Sequence, residues 1–287
     1  MLSTNIRDST FDLWKHLTGF PASQTDAALT NLQEWIAKTI DADNVIWIGA
    51  VRVLHGAEGK RDAFLGWRLR DRVALRPDPG PYRKQLAKYY ETEHYGKLTP
   101  TYYERSHEEK KEDHVGMDSR ASMSSCGRFR VYRIRDKSFL DFVAFKKTPH
   151  YKRYYEDGGV ADRIMIGFPV GPDHESFFLI DRFHSKSSPR LFSLREATLA
   201  GDAVRGVPEL HRRLFLGNGL MMGDKLLSPM ERQILRGLLN GLTEKEIAMS
   251  NGQQVSTLHK YVTGLYARFG VNSRPALMAL WLGVKQE

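Results

Sequence analysis

Two helix-start signals follow each other near the carboxyl end of the chain and constrain its fold more than any other feature. Ser228 with Glu231, and Thr243 with Glu246, both have the S/T-x-x-E spacing of a capping box. Pro229 occupies the first helical position behind the first box, where a missing N–H costs no helical hydrogen bond. Two short helices must therefore begin close together, which favours a compact helical unit.

The helix predicted next has two chemically different faces. Leu258, Val262 and Leu265 recur at helical spacing and predict a buried stripe, while Gly252 allows a sharp turn before the helix. The opposite face is polar and has no acidic residue, so it can approach phosphate. Its members are Ser256, Thr257, His259, Lys260 and Thr263. A short helix, a glycine-containing turn and a second helix with such a face follow the helix-turn-helix plan.

Three segments extend this plan: LSPMERQILRGLLNGLTEKEIA, TLHKYV and FGVNSRPALMAL. In order, spacing and caps they resemble the DNA-binding domain of LuxR-type transcriptional regulators. The resemblance implies a support helix over 228–241, a scaffold helix over 243–250, a recognition helix over 255–269 and a dimerisation helix over 273–282. It implies double-stranded DNA as a partner, bound by a homodimer.

The resemblance also implies roles for individual residues. His259, Lys260 and Thr263 occupy positions that face bases in the major groove, and Lys245 and Thr257 occupy positions of phosphate contacts. The residues assigned to DNA in this way are Lys245, Ser256, Thr257, His259, Lys260 and Thr263. Those assigned to the dimer contact are Ala276, Leu277, Leu280 and Trp281.

The turn before the recognition helix departs from the family pattern. Asn251, Gln253 and Gln254 replace two apolar residues and a serine that is a better helix cap. Gly264 lies inside the recognition helix, where glycine costs about 1 kcal/mol relative to alanine unless a backbone approaches closely. His259 stands where the family usually has lysine, which lowers the charge of the face. We expect a looser turn and weak or conditional DNA binding.

Two alternatives to a DNA-binding regulator stay open. The same caps and leucine stripes could fold a generic helical bundle. A regulator with reduced DNA binding could instead act through protein partners, in which case the helix from Pro275 to Trp281 would form a heterodimer. The size of complexes with candidate regulators would separate this second alternative from DNA binding.

The amino-terminal part predicts an α+β sensory fold of the PAS or GAF type. Residues 44–54 are rich in β-branched and apolar side chains and predict a strand, with residues 64–75 as its partner. Residues 161–170 and 176–183 predict a hairpin around a Gly-Pro-Asp turn. Helix, strand, helical excursion, hairpin and exit helix is the element order of such sensory folds.

Helix signals set the predicted boundaries. Thr25 and Asp26 predict the cap of a helix of about four turns. Ser193 and Glu196 form another capping box, and Pro208 predicts a break in the long helix that follows. The predicted organisation is an α/β sensory domain over 1–192, an exit helix over 193–225 and the all-α four-helix domain over 226–287.

The input to the sensory domain is less specific. The tryptophan-tyrosine spacing of acyl-homoserine-lactone receptors is absent after Trp67, and no receiver-like repeat of βα units occurs. Aromatic and basic residues between 82 and 155 could line a pocket for an aromatic or anionic small molecule, or could simply be core aromatics beneath a basic surface. The candidate ligand contacts are Tyr89, Tyr102, Arg128 and Arg130.

Composition excludes several other classes. A net charge of +9 attracts polyanions, and the longest apolar run is too short to cross a bilayer. Cys126 is the single cysteine, which excludes an internal disulfide framework and any zinc site of multiple thiolates. His107 and His114 lie in a charged stretch typical of a solvated helix rather than a metal site. We therefore expect a cytoplasmic protein without cofactor, metal or membrane partner, and no enzyme, since no catalytic set is recognisable.

Overall fold

The described part of the chain combines an antiparallel sheet with two groups of helices, as predicted for the α+β class. The computed structural model describes residues 4–21, 24–61, 64–77, 116–184, 190–221 and 227–282. No helix in these ranges is long and apolar enough to span a membrane. Tyr89, Tyr102, His107 and His114 lie outside the described residues.

Five strands build the sheet: β1 Asn44–Arg52, β2 Trp67–Ala74, β3 Arg130–Arg133, β4 Val160–Gly171 and β5 His174–Phe183. They lie in the order β2-β1-β5-β4-β3, and every neighbouring pair is antiparallel. The predicted pairing of β1 with β2 and the predicted hairpin of β4 with β5 are both confirmed. Strand β3 was not predicted, because its four residues, Arg-Val-Tyr-Arg, give too short a periodic signal.

Among its described residues, the amino-terminal part has eight helices: α1 Thr4–Thr18, α2 Thr25–Thr39, α3 Gly56–Arg61, α4 Met117–Ser124, α5 Phe142–Phe145, α6 Pro149–Tyr151, α7 Leu194–Arg205 and α8 Pro208–Gly217. Helix α6 continues as a π-helical turn over Lys152–Glu156. Helices α1, α2, α7 and α8 share one core with the sheet. Trp47 on β1 and Phe215 on α8 meet edge to face there, with ring centroids 6.1 Å apart.

The other face of the sheet carries a buried polar network among its apolar contacts. Arg163 donates two hydrogen bonds to the carboxylate of Asp181, at 2.6 and 2.8 Å. The hydroxyl of Tyr155 donates to Asp118 at 2.6 Å. Because each charged group has a partner of opposite charge or a hydrogen bond, the network can be buried without a large desolvation cost.

Two predicted helix boundaries have different outcomes. The capping box of Ser193 and Glu196 is confirmed, and the helix breaks at Pro208 as predicted. The predicted cap of α2 is wrong: Thr25 is already the first helical residue, and Gln24 at the N-cap makes no side-chain capping bond. Helices α7 and α8 both pack into the core beside the sheet, so the segment is not a free connector.

Four helices form the carboxyl-terminal part: α9 Pro229–Leu239, α10 Glu244–Ser250, α11 Val255–Arg268 and α12 Arg274–Leu282. Their common core also includes Leu216 of α8. Ion pairs join α9 to the amino-terminal part, with 4.0 Å between Arg232 and Asp71 and 3.6 Å between Arg236 and Asp26. Helix α8 thus contributes side chains to both cores.

Candidate nucleic-acid interface

The two capping boxes near the carboxyl end are formed as predicted. The backbone N–H of Glu231 donates to Ser228 Oγ at 3.2 Å, and the Ser228 N–H donates to the Glu231 carboxylate at 2.7 Å. The same pair of bonds joins Thr243 and Glu246, at 3.2 and 2.7 Å. These reciprocal bonds satisfy amide groups that a helix start leaves free, so the lengths of α9 and α10 are set locally.

Glu231 also fixes the far end of the recognition helix. Nη1 of Arg268 donates to its carboxylate at 2.6 Å. Burial acts to raise the pKa of Glu231, but the hydrogen bonds from Ser228 and the contact with Arg268 outweigh it and leave the pKa below its usual value. The cap of α9 and the last turn of α11 are therefore held by one ionised carboxylate.

A glycine permits the close packing of α9 on α10. A Cβ atom at Gly237 would lie 2.8 Å from Cγ1 of Ile247, shorter than real Cβ contacts. Ile247 is buried in the same core as Leu258, Val262 and Leu265. The predicted inward stripe of α11 is thus confirmed, and it fixes which side of the helix faces outward.

The outward side of α11 and the neighbouring part of α10 are open to solvent. All six side chains that the resemblance assigns to DNA are exposed: Lys245, Ser256, Thr257, His259, Lys260 and Thr263. Thr263 Oγ1 donates to the backbone carbonyl of His259 at 2.9 Å, which leaves its lone pairs and methyl group outward. The structure therefore brings these residues to one accessible surface, and their contact with DNA stays a prediction.

One acidic residue reaches this surface from the scaffold helix. Nδ1 of His259 lies 3.0 Å from the carboxylate of Glu244 on α10. With an ionised carboxylate as acceptor, Nδ1 carries the proton, and Nε2 is the atom left for a base. The face predicted to be free of acids is therefore so only along α11. No sequence pattern indicates this contact, since it depends on how α10 crosses α11.

Exposed apolar side chains next to this surface were missed by the sequence reasoning. Met249 near the end of α10 is 80% exposed and Val255 at the start of α11 is 47% exposed. Both are apolar residues that lie outside the predicted buried stripes, and this position could have predicted their exposure. Such side chains can contact thymine methyl groups in a major groove.

The turn between α10 and α11 is held by hydrogen bonds that differ from the contacts expected from the family pattern. Gln254 at the N-cap of α11 makes no side-chain capping bond, in agreement with the missing cap. Asn251 Oδ1 instead accepts from Gln233 Nε2 of α9 at 2.6 Å, and the Gln253 N–H donates to the carbonyl of Ala248 at 2.9 Å. The turn lacks the apolar contacts of the family pattern, as expected, and these hydrogen bonds hold it instead.

The predicted dimer contacts separate into two groups. Leu277 and Trp281 are only 2% and 3% exposed and belong to the core of the same chain, so in this conformation they are not available to a second copy. Their part in a dimer contact stays a prediction that would require this packing to change. Ala276 and Leu280 are half-buried, and Leu282 beside them is 53% exposed. These two side chains are buried because α12 packs on α8 and shares a core with α9 to α11.

The predicted ligand contacts in the amino-terminal part are not gathered into a site by the described residues. Arg128 is exposed, whereas Arg130 is buried. Nη2 of Arg130 lies 2.7 Å from the buried carboxylate of Glu175, and its guanidinium lies over Gly167, where a Cβ would come within 2.4 Å. The charge of Arg130 is thus already matched by Glu175, which disfavours its predicted role as a ligand contact.

The single cysteine, Cys126, lies beside Arg130 and Glu175. Burial, and then the charge of Glu175, raise the pKa of Cys126 far above its usual value, although Arg130 acts in the opposite direction. The group is therefore an ordinary thiol rather than a nucleophile. Among the described residues, no group of three metal-ligating side chains could hold an ion.

Comparisons with known proteins support the assignment of the carboxyl-terminal helices. Residues 225–281 match the family described as bacterial regulatory proteins, luxR family. The probable HTH-type transcriptional regulator GfsR of Streptomyces halstedii is 39% identical over 57 residues, which are 20% of this chain and 24% of that protein. The chain thus matches about a quarter of that relative's length, and the likeness is confined to this region.

Solved structures give weaker likenesses over the whole chain. A structure of SdiA in complex with octanoyl-rac-glycerol aligns with all of both chains at 11% identity and a TM-score of 0.39. A structure of Escherichia coli SdiA aligns with 98% of this chain and 99% of its own at 12% identity and a TM-score of 0.37. Values this low carry no argument about the sensory part. Residues 225–281, with their paired capping boxes and open recognition helix, are a helix-turn-helix domain of the luxR family of bacterial regulatory proteins.

Proposed function

We propose that the chain is a bacterial transcriptional regulator that binds double-stranded DNA through α11. The observation that carries the proposal is the exposed polar surface formed by Lys245 on α10 and by Ser256, His259 and Lys260 on α11. It lies opposite a fully buried stripe on the same helix, so the support for the helix leaves its outer face free. A net charge of +9 favours association with a polyanion.

Base contacts follow from the chemistry of the outer side chains. Lys260 donates to the acceptor atoms O6 and N7 of guanine. His259, with Nδ1 held by Glu244, offers Nε2 as an acceptor when neutral and as a donor when protonated. Lys245 on α10 would contact phosphate. Together these groups would set sequence preference through α11 and affinity through both helices.

We further propose that two copies bind related half-sites. The partly exposed side chains Ala276, Leu280 and Leu282 on α12 are the contact that remains after Leu277 and Trp281 are removed from it. Regulation by a small molecule at the amino-terminal part belongs to the same proposal, as does a location in the cytoplasm. The corresponding domain boundaries are 1–192, 193–225 and 226–287.

The test uses the full chain and operator fragments selected by genome-wide chromatin pull-down. Fluorescence anisotropy compares each fragment with a scrambled one over a range of salt concentrations. Lys260→Ala should weaken binding by about 1–3 kcal/mol and relax sequence preference. Lys245→Ala should weaken all sequences alike and lower the salt slope by about 1.

Lys147→Ala is the matched control, because Lys147 is exposed on the amino-terminal part, away from α11. It should leave affinity unchanged. If His259→Ala, Lys260→Ala and their combination all bind the operator as the unaltered chain does, the assigned groove face is wrong. The alternative of a regulator that acts through protein partners would then be the one to pursue.

A further inference from the structure

A cavity of about 410 Å³ lies between the end of α1, the start of α2 and the junction of α7 with α8. It is on the side of the sheet opposite the one that carries Arg130, so it is a different place from the predicted ligand contacts. Its volume falls in the range of small-molecule sites. The described residues that line it are Leu17, Thr18, Phe20, Pro21, Thr25, Ala28, Gly206, Val207, Pro208, Glu209, Leu210 and Arg213.

Most of this lining is apolar. Leu17, Ala28, Val207 and Leu210 are buried members of the core beside the sheet, and Phe20 packs against that core. These side chains come from three different helices and the junction before α8. An apolar body is therefore the part of a ligand that this cavity fits best.

One cation in the lining has no counter-ion. The guanidinium of Arg213 makes a single long hydrogen bond, from Nη1 to the carbonyl of Phe20 at 3.4 Å, and no ion pair within the described chain. Its Nε is buried without a hydrogen-bond partner. The acid that also lines the cavity, Glu209, is engaged by Arg212 at 3.1 Å. The cavity therefore contains a guanidinium that has no ion-pair partner among the described residues.

Two helix starts beside the cavity also favour a negatively charged ligand group. The first turns of α2 and α8 line the cavity, and neither Gln24 nor Val207 at their N-caps makes a side-chain capping bond. The acid of the first turn of α2, Asp26, faces Arg236 at 3.6 Å rather than this cavity. The positive end of a helix favours a negative group nearby, although at α8 Pro208 has no N–H and the Leu210 N–H already donates to the carbonyl of Val207 at 3.1 Å.

We propose that this cavity binds a small amphiphile with an apolar body and a carboxylate head group. The carboxylate pairs with Arg213, and the apolar body lies against Leu17, Ala28, Val207 and Leu210. A carboxylate accepts the parallel hydrogen bonds that a guanidinium can donate, and burial beside apolar side chains strengthens that pairing. The biological consequence of binding rests on the regulatory function proposed above, whereas binding itself does not.

Arg213 also connects this cavity to the carboxyl-terminal helices. It lines a second, smaller cavity of about 60 Å³ together with Asp26, Arg236 and Trp281. A head group on Arg213 would therefore change the charge that faces the ion pair of Asp26 with Arg236. Helix α8, which carries Arg213, also contributes Leu216 to the carboxyl-terminal core. Ligand binding in the cavity can thus affect the packing of the helix-turn-helix domain through α8.

The test measures binding of decanoate to the full chain by isothermal titration calorimetry, below the concentration at which decanoate forms micelles. We expect one saturable site per chain, and weaker binding of decan-1-ol, which has the same chain without the charge. Arg213→Gln should weaken decanoate binding by about tenfold or more, because it removes a charge-assisted hydrogen bond. Arg195→Gln, which removes an exposed arginine from α7, should leave binding unchanged.

A second pair of variants tests the cavity itself. Ala28→Leu fills it from α2, and Ala27→Leu places the same side chain on the exposed side of the same helix. Only the first should abolish binding. Absence of saturable binding, equal binding of decan-1-ol, or no effect of Arg213→Gln would overturn the proposal. None of these outcomes bears on DNA binding, which is measured separately and without ligand.

Discussion

A buried histidine on α8 should make the stability of the amino-terminal part depend on pH. His211 is 0% exposed, and its ring stacks on Phe168 with centroids 4.0 Å apart. Its Nε2 lies 2.9 Å from the carbonyl of Val204 and carries the proton of that hydrogen bond. Nδ1 has no partner among the described groups. The ring is therefore held in its neutral form.

The sign and size of the effect follow from the shifted pKa. Burial lowers the pKa of His211 from 6.5 to about 4, although the hydrogen bond to Val204 acts in the opposite direction. Above pH 6.5 the ring is neutral both folded and unfolded, and its contribution to stability is complete. As the pH falls toward 4, the unfolded chain binds the proton first, and up to about 3 kcal/mol of stability is lost. His174, whose pKa is also lowered by burial, acts in the same direction.

Urea unfolding at several pH values between about 7 and about 4.5 measures this loss as a change in the free energy of unfolding. His211→Gln keeps a donor for the carbonyl of Val204 but cannot titrate, so its stability should be lower at neutral pH and should fall less on acidification. His184→Gln is the matched control, because His184 is exposed. If His211→Gln loses as much stability on acidification as the unaltered chain, the reasoning about the buried ring is wrong.

Three further substitutions test the packing of the carboxyl-terminal helices by thermal or urea unfolding. Gly237→Ala should destabilise by about 1–3 kcal/mol, because its Cβ meets Ile247 at 2.8 Å, and an unchanged unfolding midpoint would contradict the close approach. Gly264→Ala should stabilise by about 0.5–1 kcal/mol, since nothing lies within 4 Å of its Cβ, and a loss of stability would show an unnoticed contact. Trp281→Ala should cost about 3–5 kcal/mol, and a cost below about 1 kcal/mol would show that α12 is not part of the core.

Local chemistry explains which elements could be predicted. The capping boxes at Ser193, Ser228 and Thr243 are formed as predicted, since each depends only on two side chains and the backbone between them. The strands of the β4–β5 hairpin were predicted for a similar reason, because alternation and a turn signal lie within one short segment. The helix-turn-helix domain is built almost wholly from such local signals, and it was therefore the part of the chain that the sequence predicted best.

Predictions that depended on which elements meet in space were less successful. The charge of Arg130 predicted a ligand contact, but Glu175, 45 residues away, neutralises it. Leu277 and Trp281 have the apolar character expected of a dimer contact, which equally fits the core they occupy. The chemical character of an apolar or charged side chain predicts that it needs a partner, but it does not predict which residue that partner is.

The amino-acid sequence by itself determined where the helices with capping boxes begin and which face of α11 is apolar, because these properties are set by neighbours along the chain. Only the tertiary structure decided that Glu244 reaches His259, that α8 belongs to two cores, and that Arg213 lines an apolar cavity without a counter-ion. These features arise from contacts between segments distant in sequence, whose geometry is fixed by packing the whole chain.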